Sequence, residues 1–279
     1  MTRAIAVCNQ KGGVGKSTTA VNLSAYLALS GKRTLLFDLD AQGNASTACG
    51  ISRASLDRDI YAVLVGRSST DSVIQHTAVQ QMDIIPASLD LAGAEPYLSS
   101  IQEKETWLKR AASQLRSSYD FLVFDCPPSL SLMTVNALAA ADSVLVPVQC
   151  EYLSLEGLNS LMQAIELIKH TLNPALQICG IVLTMTDFRS NLAREVANDV
   201  RSYFKDTVFD AAIPRNVRLA ESPSFGKPIA LYDPHSAGAM AYRMLADEVL
   251  ARETGQSRAP ATAQPEPQHA AVAPKENTP

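Results

Sequence analysis

The run Asn9-Gln10-Lys11-Gly12-Gly13-Val14-Gly15-Lys16-Ser17-Thr18 follows a short apolar stretch, Ala4–Cys8, and leads into an alanine- and leucine-rich segment. That order constrains the chain strongly. Closely spaced glycines let backbone N–H groups converge on one anion, and a helix that starts at the last of them adds its positive end. The general phosphate-loop pattern is G-x-x-x-x-G-K-[ST]. Gly15-Lys16-Ser17 supply its end, while Gln10 stands in place of the first glycine and Lys11 follows it. In that scheme Lys16 reaches the β- and γ-phosphates and the Ser17 hydroxyl sits on Mg2+. Lys11 has no task there. A second cation at the mouth of the loop suggests a nucleotide read by two subunits.

The rest of the chain extends the same pattern. Ala4–Cys8, Thr34–Asp38, Met82–Pro86, Phe121–Asp125, Ser143–Val148 and Ile178–Met185 read as strands, most of them apolar at consecutive positions. Strands of that kind are covered by helices on both faces. Helical stretches lie between them at Lys16–Ser30, Glu103–Ser117, Thr134–Ala141, Leu155–His170 and Leu192–Phe204. In the fourth, Leu158, Leu161, Met162, Ile165 and Ile168 fall on one face and predict core packing. The alternation predicts a doubly wound, mainly parallel α/β sheet, with ligands at the carboxyl ends of its strands. There is no internal repeat.

Composition narrows the rest. The chain has 279 residues, long enough for one large α/β domain or at most two small ones. A last helix over Ala237–Arg252 closes that domain, taken as residues 1–254. Residues 255–279 hold five of the fifteen prolines, have no apolar period and are expected to form a disordered tail. The tail lacks the basic amphipathic pattern of a membrane-surface helix. A net charge of −4 means that any nucleic-acid binding comes from a local patch. The five cysteines form no C-x-x-C pair and read as reduced thiols, several of them buried, and the four histidines show no metal-ligand spacing. The first apolar run is too short for a signal-peptide core, and none approaches the ~20 residues of a membrane span. The expected location is cytoplasmic.

Two strand ends carry carboxylates: Phe37-Asp38-Leu39-Asp40, and Val123-Phe124-Asp125 before Cys126-Pro127-Pro128. An Asp at the carboxyl end of an apolar strand, combined with a phosphate loop, is the arrangement that binds Mg2+ directly or through water. Three segments, Asn9–Thr18, Asp38-Leu39-Asp40-Ala41-Gln42-Gly43-Asn44 and Phe124-Asp125-Cys126-Pro127-Pro128-Ser129, together resemble the ParA-type partition ATPases of the deviant-Walker-A group, which also contains the MinD division-site ATPases. Thr184-Met185-Thr186-Asp187-Phe188-Arg189-Ser190-Asn191 and Ile213–Pro228 extend the resemblance and favour ParA over MinD.

The resemblance implies a set of roles. Lys11 crosses the interface of an ATP-sandwich homodimer to the partner's phosphates, and Gly12 stays bare where the subunits approach. Gly13, Val14, Gly15, Lys16, Ser17 and Thr18 hold the phosphates, and Ser17, Asp38 and Asp125 hold Mg2+. Asp40 orients the attacking water, so Lys11, Lys16 and Asp40 form the catalytic set. Pro214 and Asn216, with Met185, contact adenine. Arg189 and Arg218 bind DNA without sequence preference, and a ParB-like partner stimulates hydrolysis; the cofactors are ATP and Mg2+. Ala41 replaces a frequent proline, and Ser17 a commoner threonine with the same hydroxyl. His235-Ser236-Ala237 stands where relatives often carry basic residues, which would weaken DNA binding. The alternatives are a MinD-like membrane-cycling ATPase or a metabolic enzyme on the same fold.

Overall fold

The computed structural model describes residues 2–52, 56–99, 102–151 and 154–254. The expected tail lies outside them. The strands are β1 (Arg3–Val7), β2 (Thr34–Asp38), β3 (Gln75–His76), β4 (Met82–Ile85), β5 (Phe121–Asp125), β6 (Ser143–Gln149), β7 (Gln177–Thr186) and β8 (Val208–Pro214). The α-helices are α1 (Lys16–Leu29), α2 (Asn44–Ala48), α3 (Ile60–Leu64), α4 (Ala94–Ser99), α5 (Trp107–Ser113) and α6 (Leu132–Ala140). They continue with α7 (Ser154–Thr171), α8 (Asn191–Phe204), α9 (Val217–Glu221), α10 (Ile229–Tyr232) and α11 (Ala237–Thr254).

One sheet contains all eight strands in the order β3-β4-β2-β5-β1-β6-β7-β8. Every pairing is parallel except the antiparallel edge pair β3–β4. The consecutive apolar residues of the strands divide between two cores. Leu35, Phe37, Leu122 and Phe124 face one side with Leu161 and Ile165 of α7. Leu36, Phe121 and Val123 face the other with Leu23 and Leu27 of α1 and Leu245 of α11. Leu158, Leu161, Ile165 and Ile168 are buried, as their spacing predicts, and Met162 packs partly buried beside them.

Three details differ from the sequence expectation. The helix predicted over Glu103–Ser117 is a 3-10 turn at Lys104–Thr106 followed by α5. Asn136 on α6 fixes that break, accepting from Leu108 N at 3.1 Å and donating to Lys104 O at 2.7 Å. The short antiparallel β3 is not foreshadowed by any pattern, because two residues carry no period. The edge strand β8 is equally hidden, because its short apolar run is interrupted by Asp210.

Helix α11 is anchored at its far end by Arg252. Its guanidinium donates to Cys179 O (2.8 Å), Thr207 O (3.1 Å) and Val208 O (3.2 Å), and lies 3.9 Å above the Phe209 ring. A side chain at Gly180 would meet that guanidinium and ring at 2.5 Å, so only glycine fits beneath them. Replacing Arg252 with Ala strands these carbonyls and removes the cation–π interaction. The expected loss of unfolding free energy is about 2–4 kcal/mol, read from the urea midpoint at constant m.

Candidate functional site

The parallel register places the chemistry. Val7 pairs with Asp125, and Asp38 pairs with the same Asp125 from the other side. The ends of β1, β2 and β5 therefore lie at one level of the sheet, and the loop after β1 rises directly beside both carboxylates. That loop is pinned from below. The Asn9 amide donates to Pro147 O (2.6 Å) and its oxygen accepts from Lys11 N (3.0 Å), while the Thr184 hydroxyl donates to Val14 O (2.9 Å). Gly13 and Gly15 have φ of 76° and 88°, in the left-handed region that glycine adopts without penalty. A methyl group at Gly12, Gly13 or Gly15 would touch nothing, so the space in front of the loop is open.

A cavity of about 400 Å³ opens there. The phosphate-loop residues Gly12–Thr18 apart from Val14 line it, with Asp40 and Gln42 on one side and Pro223, Lys227 and Pro228 on another. A second cavity of about 190 Å³ adjoins it at Gly15 and Thr18 and is walled by Met185, Pro214, Asn216 and Tyr242. The three residues expected to contact a base thus sit together beside the phosphate loop. Met185 holds a φ of 50° at the end of β7, a strained conformation for a side-chain-bearing residue and one that clusters at ligand sites. Asn216 also caps α9, accepting from Leu219 N at 3.2 Å.

The two lysines of the loop diverge. Lys16 is 7% exposed and folds back over the loop, donating to Lys11 O at 3.0 Å. Burial lowers its pKa, against the pull of Asp125 and Asp40. Lys11 does not line its own cavity. Its ammonium pairs with Glu151 at 2.8 Å, and the other Glu151 oxygen accepts from Gln149 at 2.6 Å. No motif in the sequence points to Glu151.

The carboxylates also take different parts. Asp38 is buried and its oxygens are occupied: Oδ1 accepts from Asp40 N (3.2 Å), and Oδ2 from Ser46 N (2.8 Å) and Ser46 Oγ (2.7 Å). Burial nevertheless pushes its pKa up to about 6. Asp125 is buried with neither oxygen in a well-aligned hydrogen bond. Burial and the nearby Asp38 drive its pKa well above the usual carboxylate range, and the neighbouring Ser17 hydroxyl and Lys16 charge offset this only in part. An unpartnered buried carboxylate beside a serine hydroxyl is an oxygen donor set suited to a hard divalent cation, so the residues present fit Mg2+. Asp40 lines the cavity, and its Oδ1 accepts from Gln42 N at 2.9 Å.

A family model described as an AAA domain matches residues 2–178. The sporulation initiation inhibitor protein Soj of Bacillus subtilis is 51% identical over 251 residues, covering 90% of this chain and 99% of Soj. The chromosome partitioning protein ParA of Myxococcus xanthus is 49% identical over 255 residues, 91% of this chain and 90% of ParA. The chain belongs to the Soj/ParA family of chromosome-partitioning ATPases. Among solved structures, the cobyrinic acid a,c-diamide synthase of Mycobacterium smegmatis with bound ADP and magnesium superposes with a TM-score of 0.82 at 35% identity. That match covers 95% of this chain and all of the other.

The two arginines expected at DNA are exposed and ion-paired in this Soj/ParA family member. Arg189 forms a two-pronged pair with Asp187, Nε and Nη2 each at 2.8 Å, and holds that carboxyl down at about 2. Arg218 pairs with Glu221 (3.0 Å) and Asp233 (3.4 Å). His235 is exposed at the turn before α11. Among the described residues no helix is long and apolar enough to cross a membrane.

The raised carboxylates fix the sign of a pH dependence. The folded form binds these protons more tightly than the unfolded chain does. Their contribution is therefore fullest below the ordinary carboxylate range and is lost as pH rises, through about 6 for Asp38. Asp125→Asn is expected to flatten the fall in thermal midpoint of the nucleotide-free protein as pH rises above the ordinary carboxylate range. The same variant is expected to lose Mg2+-dependent ATP hydrolysis; calorimetry and a phosphate-release assay check the two halves.

Proposed function

We propose that this chain is an ATP-timed DNA-partitioning switch: ATP joins two copies into a sandwich dimer that binds DNA without sequence preference, and slow hydrolysis releases it. The observation that carries the two-subunit reading is the divergence of the lysines. Lys16 covers its own loop, and Lys11 points away from it to Glu151. A cation held at the rim, outside its own cavity, supports the reading that it serves a nucleotide held by another copy. Delivered there, it stabilises charge developing on phosphoryl oxygens much as a trans-acting arginine does.

Within the cavity, the backbone of Gly12–Thr18 and Lys16 grip the phosphates, and Met185, Pro214 and Asn216 hold the adenine. Ser17 and Asp125 hold Mg2+, which when bound neutralises phosphate charge. Asp38, with its oxygens already engaged by Ser46 and Asp40, acts by fixing the Asp40 loop and through water. Asp40 orients the attacking water. Arg189 and Arg218 exchange their own carboxylate partners for DNA phosphates. That exchange is costly for a single copy, and doubling the number of phosphates engaged in a dimer makes it effective. A ParB-like partner accelerates hydrolysis, and the cycle runs in the cytoplasm on the nucleoid.

Asp40→Ala is expected to give a long-lived DNA-bound dimer with ATP, Lys16→Ala a monomer without productive ATP binding, and Lys11→Ala a nucleotide-bound monomer. Size-exclusion chromatography with ATP separates the three, and co-elution of all of them as monomers would sink the switch. DNA affinity with ATP should fall steeply in a salt series. Replacing Arg189 or Arg218 with Ala should reduce the logarithmic slope by about one for each DNA phosphate that the arginine neutralises.

A further inference from the structure

We propose that Asn22 is a positioning residue that fastens the 222–229 wall of the nucleotide cavity to the phosphate-binding helix, so that nucleotide at Ser17 and Thr18 sets the position of that wall. The inference rests on the cavity being the nucleotide site. Asparagine is a poor choice for a helix interior, where its side chain competes for backbone partners. In the middle of α1 Asn22 is 2% exposed, and both ends of its amide are used. Nδ2 donates to Thr18 O at 2.8 Å, one turn back at the phosphate loop. Oδ1 accepts from Ile229 N at 2.7 Å, across 207 residues of sequence. Ile229 opens α10, so its N–H has no partner within that helix, and Asn22 supplies one.

The wall itself borders the cavity through Ser222, Pro223, Lys227 and Pro228, and Asn22 lines the same cavity. It continues without a break from Asn216 of the base slot and Arg218. A second fastening holds it at Gly226, which has a φ of 61° and meets Gly50 backbone to backbone. A Cβ on Gly226 would lie 2.7 Å from Gly50 Cα, and one on Gly50 would lie 2.9 Å from Gly226 O. Gly50 closes the turn after α2, whose first turn is held by Asp38 through Ser46 and which follows the Asp40 loop. The wall is thus clamped by the phosphate helix on one side and by the Asp38/Asp40 segment on the other. Close packing of this kind passes a displacement on rather than absorbing it. A buried asparagine that only satisfied α10 would leave the wall indifferent to nucleotide.

Hydrogen exchange on the full chain, with and without Mg2+ and an ATP analogue that resists hydrolysis, reads the coupling directly. In the wild type the analogue is expected to slow exchange at 12–18 and, in step, at Ile229 and the rest of 222–229. In Asn22→Ala the protection at 12–18 persists and that at 222–229 disappears. The KM for ATP rises on the order of tenfold with kcat nearly unchanged, the pattern of weakened uniform binding. Gly226→Ala, which wedges the wall off Gly50 without touching Asn22, is expected to give the same separation. Protection at 12–18 without protection at 222–229 in the wild type overturns the proposal whether or not either variant folds. An Asn22→Ala protein whose 222–229 segment still responds also overturns it. Failure of 12–18 to respond would instead bring down the nucleotide reading on which the proposal stands.

Discussion

Parallel hydrogen bonding between β1, β5 and β2 sets Val7, Asp125 and Asp38 side by side at one edge of the sheet. The site depends on that alignment. A slip of one residue in either pairing would turn a carboxylate into one of the two apolar cores and exchange Leu122 and Phe124 for Phe121 and Val123. Both faces of these strands are buried, so the cores hold the register firmly and the register places the site.

The cost of the alignment is electrostatic. Two carboxylates are brought into a buried edge with one lysine near them. Asp38 is relieved by three donors from the segment it holds, whereas Asp125 has no well-aligned donor among the described residues. The nucleotide-free molecule carries a group whose ionised form is disfavoured, and on the proposed reading a bound cation removes that penalty. The loop glycines work alongside it, since their open space keeps the phosphates within reach of backbone N–H groups.

Outward from this edge the fold turns to surface electrostatics. Lys11, Arg189 and Arg218 are each engaged by a carboxylate of the same chain, Glu151, Asp187 and Glu221 respectively. Paired exposed cations contribute little field at a distance, in keeping with a chain of net charge −4. In the switch proposed above, they become binding groups when a phosphate held in fixed geometry displaces the internal partner. The 222–229 wall, which follows Arg218 in the chain, meets the inner groups at Asn22 and Gly50.

Much of this was legible in the residues alone. Consecutive apolar runs ending in Asp38 and Asp125, and the glycine loop at 12–15, determine strand, turn and helix by local steric and hydrophobic rules, which depend only on near neighbours. The break between Lys104 and Trp107, the edge strand at Val208–Pro214 and the partners of Lys11 were not legible. Each depends on a group far away in sequence: Asn136, β7 and Glu151. The same holds for Asn22, which in sequence is a polar residue on an apolar helix and in space joins Thr18 to Ile229. Local pattern was enough to commit the chain to a phosphate site on a doubly wound sheet. Which carboxylate stays unpartnered, which group holds Lys11 and what holds the cavity wall were settled only by the folded arrangement, because burial and long-range hydrogen bonds set those outcomes and no local pattern encodes them.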